Sequence, residues 1–332
     1  MLYSSLSDRY RLERMHYTLE HLDPDLSRLI RRMPALKSSG LDAILEFRKI
    51  LALGAAIRKR ASHPGVIVSD LSISNPNSAQ SLRLRRYEPR NAPPSPRPAL
   101  LWMHGGGMTC GAPENDEPLL IRFAHEGNIT VFAVDYRLAP EHPYPTPLDD
   151  CETAFRALLT FTTPWMIDPH RIALGGASAG ANLAIALTLR LRDHAIHPVK
   201  FLLAIYPMLD EAMSVPSLNA TFEPPMMDAL QLRNFWKHYR QAFTGDSKYM
   251  DPYLESDWHA FPTTYTCVGQ IDPSRDTTLI WADALHRASV RTECHLFPGA
   301  MHGFDAICPQ APISENAMAE WSNRLCAALR VG

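Results

Sequence analysis

The sequence predicts an α/β fold: a mostly parallel sheet flanked by helices on both faces, with a cap over it. Three observations carry this. From residue 99 onward, near-continuous apolar runs alternate with helix-periodic segments, as in a parallel sheet covered on both sides. A serine stands in a glycine-framed turn, Gly176-Ala177-Ser178-Ala179-Gly180, between such a run and such a segment. Residues 208–255 interrupt the alternation between two of the runs.

Taken in order, residues 1–60 are rich in Leu, Arg and Ala. Leu41, Ile44, Leu45 and Ile50/Leu51 form a plausible helix face before the basic Arg58-Lys59-Arg60. Residues 66–73 and 81–87 read as strands, more polar and alternating than the rest, as edge strands are. Residues 89–98 are a proline-rich connector with no place in a central strand. Further strands fall at 99–103, 129–134, 171–175, 201–206, 264–269 and 292–297, and helices near 115–126, 147–162, 178–194, 274–288 and 314–329. In the last helix Met318, Trp321, Leu325 and Leu329 share a face. Long insertions in α/β domains usually sit over the site, so residues 208–255 read as a cap. Its Met226, Met227, Phe235, Trp236 and Tyr239 are candidates for an apolar pocket, together with Met108, Ala177 and Tyr206 near the motifs.

At 332 residues, 46% hydrophobic and 20% charged, the chain can bury a large α/β core. A net charge of −2 supplies no global field to recruit nucleic acid or anionic lipid. Arg31-Arg32 and Arg58-Lys59-Arg60 read as solvated helix ends. Residues 1–8 lack the charged start and apolar core of a secretory signal, and no stretch suits a membrane span. Six scattered cysteines show no C-x-x-C, which predicts reduced thiols in a cytoplasmic protein. The 14 histidines show no metal-binding spacing, so neither metal nor other cofactor is expected.

The chemistry rests on two motifs. G-x-S-x-G alone is weak; chance supplies it in roughly one chain of this composition in twenty. His104-Gly105-Gly106-Gly107 is far rarer, on the order of one chain in several hundred. Both follow apolar strand runs, which argues against two ordinary surface turns. After the serine, Leu183, Leu187 and Leu191 recur as on a helix. A serine on a strained strand-to-helix turn is a nucleophile, and backbone N–H groups of the glycine motif can receive the negative charge its attack creates. His104 is given a loop-fixing role, since those donors are backbone groups.

The serine needs a base and the base an orienting acid, in the chain order Ser, acid, His. His302 follows the last strand run in a glycine-flanked loop, and Asp272 follows the preceding run. Both then lie at the carboxyl ends of adjacent strands, where open α/β sheets bind ligands. Asp210, after another strand, is the main rival acid, and Asp276 is read as holding a loop or the cap. His238, His259 and His286 lack the strand-end setting, and His295 lies inside a strand.

These residues resemble the hormone-sensitive-lipase-like branch of the α/β-hydrolase esterases, also called bacterial family IV. The resemblance runs from about residue 66 onward. It includes both motifs, Asp135-Tyr-Arg-Leu-Ala-Pro-Glu-His-Pro-Tyr-Pro145, Leu148-Asp-Asp150, Asp272-Pro-Ser-Arg-Asp276 and His302-Gly-Phe304. It implies an eight-stranded sheet, and a helical cap built from residues 1–60 and the insertion 208–255 over a core of 61–207 and 256–332. It implies a triad of Ser178, Asp272 and His302, with Asp272 preferred over Asp276. It also implies an oxyanion hole of the Gly106, Gly107 and Ala179 N–H groups, with Gly105 shaping the loop. Ala177 stands where many relatives carry an acid, and Ala181 replaces a common glycine.

The expected activity is hydrolysis of short- to medium-chain or aromatic carboxylic esters, with a small-molecule ester as partner and a homodimer as candidate assembly. The alternative is an amidase or deacetylase of one metabolite using the same triad. A non-catalytic ligand receptor of this fold is disfavoured because His302 is present.

Overall fold

The computed structural model describes residues 15–33, 40–58, 63–76, 78–92, 95–196, 198–223, 225–241, 243–245 and 247–330. Readings of residues 1–8, Lys59, Arg60 and residues 93–94 of the proline-rich connector fall outside them.

The main sheet has eight strands: β2 (Val66–Ile73), β3 (Leu82–Pro89), β4 (Arg97–Met103), β5 (Thr130–Val134), β6 (Ile167–Ala177), β7 (Phe201–Ile205), β9 (Thr263–Ile271) and β10 (Thr292–Met301). Their order is β10-β9-β7-β6-β4-β5-β3-β2. All neighbours are parallel except across β3, which runs antiparallel to both β2 and β5. Along β4, Ala99, Leu101 and Met103 face one core while Leu100 and Trp102 face the other. This two-residue period lets one apolar run fill both sides of the sheet.

The first core is closed by α4 (Thr146–Thr160), α5 (Ala179–Asp193) and α7 (Arg275–Arg287), and the second by α3 (Glu117–Gly127) and α9 (Pro312–Leu329). Helix α5 buries nearly its whole length, including Leu183, Ile185, Leu187, Leu189 and Leu191, which explains why its sequence is apolar all round.

The reading of β3 as an edge strand is corrected: it is the second strand from the edge. Its charges misled because they are paired. Arg83 meets Glu114 at 2.8 Å and Asp135 at 2.9 Å. Arg85 meets the buried Glu117 at 2.7 Å, which also accepts the Tyr87 hydroxyl. An ion pair lets a polar strand occupy an interior position, where an unpaired charge would be costly.

Away from the sheet, α1 (Pro24–Ile30) and α2 (Leu41–Arg58) precede β2, while α6 (Ala229–Arg240) lies between β7 and β9. A connection not foreseen joins these regions: β1 (His16–Tyr17) pairs in parallel with β8 (Thr221–Phe222). The Leu19 N–H donates to Glu223 at 2.8 Å, and the Tyr17 and Phe222 rings stack 5.4 Å apart. Among the described residues no helix is long and apolar enough to cross a membrane. All six cysteines are free thiols.

Candidate active site

Strand β6 ends at Ala177 and α5 begins at Ala179, leaving Ser178 at the sharp turn between them. Its backbone is held at φ 56° and ψ −118°, a strained conformation for a residue with a side chain. Three bonds fix it there. The Ser178 N–H donates to the Ile205 carbonyl at 2.9 Å, and its own carbonyl accepts from Asn182 and Met208, both at 3.1 Å. The turn requires close approach: a Cβ on Gly180 would lie 2.0 Å from the Met103 carbonyl oxygen.

Asp272 and His302 lie just beyond the ends of the neighbouring strands β9 and β10. His302 Nε2 is 2.8 Å from Ser178 Oγ. His302 Nδ1 is 2.9 Å and 3.0 Å from the two Asp272 carboxylate oxygens. Those partners assign the tautomer: Nδ1–H donates to the acceptor-only carboxylate, leaving Nε2 to accept the serine proton. Asp272 Oδ1 also accepts the Ser274 N–H at 2.7 Å, and all three side chains are buried. Asp210 is turned elsewhere, accepting the Ser214 N–H and hydroxyl, each at 2.7 Å. Asp276 accepts the Ser217 N–H at 2.8 Å and pairs with Arg275. His295, on the edge strand β10, bridges Glu293 of the same strand and Glu320 of α9.

The glycine motif follows β4. Gly106 and Gly107 have φ of 119° and 64°. His104 is buried, its Nδ1 lies 2.7 Å from the Gly105 carbonyl oxygen, and its ring stacks on Tyr136 at 4.2 Å. The Tyr136 hydroxyl donates to the His104 carbonyl at 2.7 Å. Burial holds the His104 imidazole below the ordinary histidine value, so it stays neutral. Ala179 opens α5, so its N–H has no intrahelical acceptor and lies at the positive end of the helix.

Gly105, Gly106, Gly107, Ser178 and His302 all border a cavity of about 380 Å³. Of the pocket candidates, Ala177, Tyr206, Met226, Met227 and Phe235 line it. Met108, Trp236 and Tyr239 do not; they are buried in the core. Helix α6 explains the division for Phe235, Trp236 and Tyr239. Gln231, Asn234 and Phe235 share its cavity side, while Leu232, Trp236 and Tyr239 share the side packed into the core. Tyr239 packs edge-on against Tyr144 there.

The opposite wall comes from α2. Ala43, Ile44, Phe47, Ile50, Leu51 and Gly54 line the cavity, a helical stripe of which the sequence reading held Ile44, Ile50 and Leu51. Leu41 and Leu45, expected on that face, are exposed. Phe47 was missed because its neighbour is distant in sequence: its ring lies 6.3 Å from that of Phe235. Asn234 and Gly40 exchange hydrogen bonds at 3.2 and 3.0 Å, tying the two walls together.

Comparison with known proteins agrees with this architecture. Residues 100–306 match the family model of the alpha/beta hydrolase fold. Esterase LipI of Mycobacterium tuberculosis is 30% identical over 315 residues, covering 93% of this chain and 95% of that one. An ethyl acetate hydrolase of Pseudomonas putida is 29% identical over 294 residues, covering 85% and 92%. Among solved structures, a bacterial heroin esterase superposes with a TM-score of 0.88 at 31% identity, covering 94% of this chain and 99% of that one. The chain therefore belongs to the α/β-hydrolase superfamily and, within it, to the hormone-sensitive-lipase-like esterases.

Proposed function

We propose that the chain hydrolyses short- to medium-chain or aromatic carboxylic esters through an acyl-enzyme on Ser178. Ester hydrolysis follows from its family. The roles of individual residues rest on one observation above all, the unbroken hydrogen-bonded row Ser178–His302–Asp272 opening on an apolar cavity.

In this reading neutral His302 takes the Ser178 proton as the oxygen attacks the ester carbonyl. Asp272 holds the imidazole orientation and stabilises the imidazolium. The Gly106, Gly107 and Ala179 N–H groups receive the tetrahedral oxyanion, aided by the positive end of α5. His302 then gives its proton to the leaving alcohol. Water, activated in the same way, releases the acid. We place this chemistry in the cytoplasm, where the six free thiols stay reduced.

The cavity supports the substrate class. At about 380 Å³ it lies near the small end of ligand sites, which span about 300–1,000 Å³. Each acyl methylene that enters an apolar wall gains about 0.8 kcal/mol until the space is full. On p-nitrophenyl esters of graded length, kcat/KM is expected to rise from acetyl to a medium acyl chain and then drop. Ser178→Ala is expected to remove about 10⁴-fold or more of kcat while leaving the fold intact. A steady rise through palmitoyl esters, with a jump above the substrate's solubility limit, overturns the substrate class. Activity surviving in a clean Ser178→Ala preparation overturns the nucleophile.

A further inference from the structure

Behind His302 lies a buried carboxyl that the proposed mechanism does not use. Asp305 follows three residues later, in the single-turn helix α8 (Phe304–Ile307), and is 6% exposed. Its Oδ1 accepts the hydroxyl of Tyr206 at 2.7 Å, a bond that spans 99 residues of sequence. Tyr206 stands just past the end of β7, and its ring centroid is 4.9 Å from that of the His302 imidazole. Trp321 meets the same ring edge-on at 6.5 Å.

Two features mark this contact as more than core filling. A carboxyl and a phenol removed from water cost free energy that Leu and Phe in the same space would not. Tyr206 also holds φ at 35°, a strained value for an aromatic residue, fixed by its N–H donating to the Cys267 carbonyl at 2.8 Å. Burial raises the Tyr206 phenol well above its ordinary value, so it keeps its proton and serves as the donor. Asp305 lies in the short helix that follows His302, and Tyr206 directly follows β7, the strand next to β6, which ends just before Ser178. Their hydrogen bond therefore ties the base's loop to the nucleophile's side of the sheet, with the phenol ring against the imidazole.

We propose that Tyr206 and Asp305 form a positioning pair: their hydrogen bond seats the phenol ring against His302 and keeps Nε2 within reach of Ser178 Oγ during proton transfer. Neither group touches the reacting atoms. The proposal rests on the Ser178–His302–Asp272 reading and adds to it.

The test uses steady-state kinetics on a p-nitrophenyl ester, with active sites counted by a fluorophosphonate that labels Ser178. Tyr206→Phe keeps the ring and removes the hydroxyl; Asp305→Ala removes the acceptor. Each is expected to lower kcat per labelled site about tenfold with KM within twofold, since small misplacements of a catalytic group are costly. The double variant is expected to be no worse than the poorer single, because the two act as one unit. Asp305→Asn, whose amide oxygen still accepts the phenol proton, is expected to stay within about threefold of the parent. Unchanged kcat in Tyr206→Phe overturns the proposal even if Asp305→Ala fails to fold. So does a change confined to KM, or Asp305→Asn as damaged as Asp305→Ala. Failure of the parent protein to be labelled at Ser178 strikes the underlying site reading instead, and so separates the two.

Discussion

At Gly107 a single hydrogen stands where any side chain would collide with the next layer of the protein. A Cβ there would fall 2.2 Å from Phe235 Cγ, and φ is already 64°. If the proposed oxyanion hole is right, Gly107→Ala is expected to shift the loop and misaim its N–H groups, lowering kcat by roughly 10²–10³, the cost of losing one oxyanion donor. Adding Phe235→Ala removes the collision but not the unfavourable φ, so only part of the rate returns; full recovery in steady-state assays would show that φ is not limiting. Residues of this kind were legible because their constraint is local. Gly180, Ser178 and His302 declare themselves by immediate neighbours and by a place at a strand end. Met108, Trp236 and Tyr239 were misassigned for the opposite reason. Whether Trp236 or Tyr239 faces the cavity or the core depends on a rotation about α6 that no short window reports, and Met108 sits in the turn after the glycine motif, where its φ is 54°.

At the scale of elements, α2 is strapped to the loops behind the site by one side chain. Arg48 donates to the Thr109 carbonyl at 2.6 Å, to the Ala139 carbonyl at 2.7 Å, and through two nitrogens to Glu141 at 2.7 and 2.8 Å. Since α2 is a wall of the cavity, Arg48→Ala is expected to raise KM several-fold with a smaller effect on kcat. The strap also has a predicted pH range. Arg48 lowers the Glu141 carboxyl from its ordinary value to about 2. A depressed carboxylate contributes fully above its unfolded value and is lost only as pH falls through the folded one. The KM ratio of variant to parent is thus expected to hold constant from pH 8 to pH 5. A ratio collapsing toward one in that interval would mean Glu141 is not the anchor. Neither the strap nor the pairing of β1 with β8 was legible, since each joins positions far apart in sequence. The arginines of β3 were visible, but their acids on α3 and the loop before it were not recognised as partners, and the strand was read as an edge.

At the scale of the molecule, alternation of apolar runs and helical stripes was enough to give the sheet, because each strand records its own burial on both faces. The order of the strands, and the reversal of β3 within them, is not written in any one strand. Nor is the way the cavity is closed. One wall comes from residues 43–54 and the other from residues 226–235, joined by bonds that span 194 residues between Gly40 and Asn234 and 204 between Leu19 and Glu223. The closed pocket therefore has a history as well as a shape. Local helices can form early, whereas contacts that close such long loops come late and slowly. On dilution from denaturant, far-ultraviolet circular dichroism is expected to recover first, and turnover of a fluorogenic ester to lag behind it. Coincident recovery of the two signals would show that the pocket forms with the sheet. If the lag is present, the chain passes through a stage with an ordered sheet and an uncovered Ser178, and at that stage the proposed selectivity for chain length has not yet been acquired.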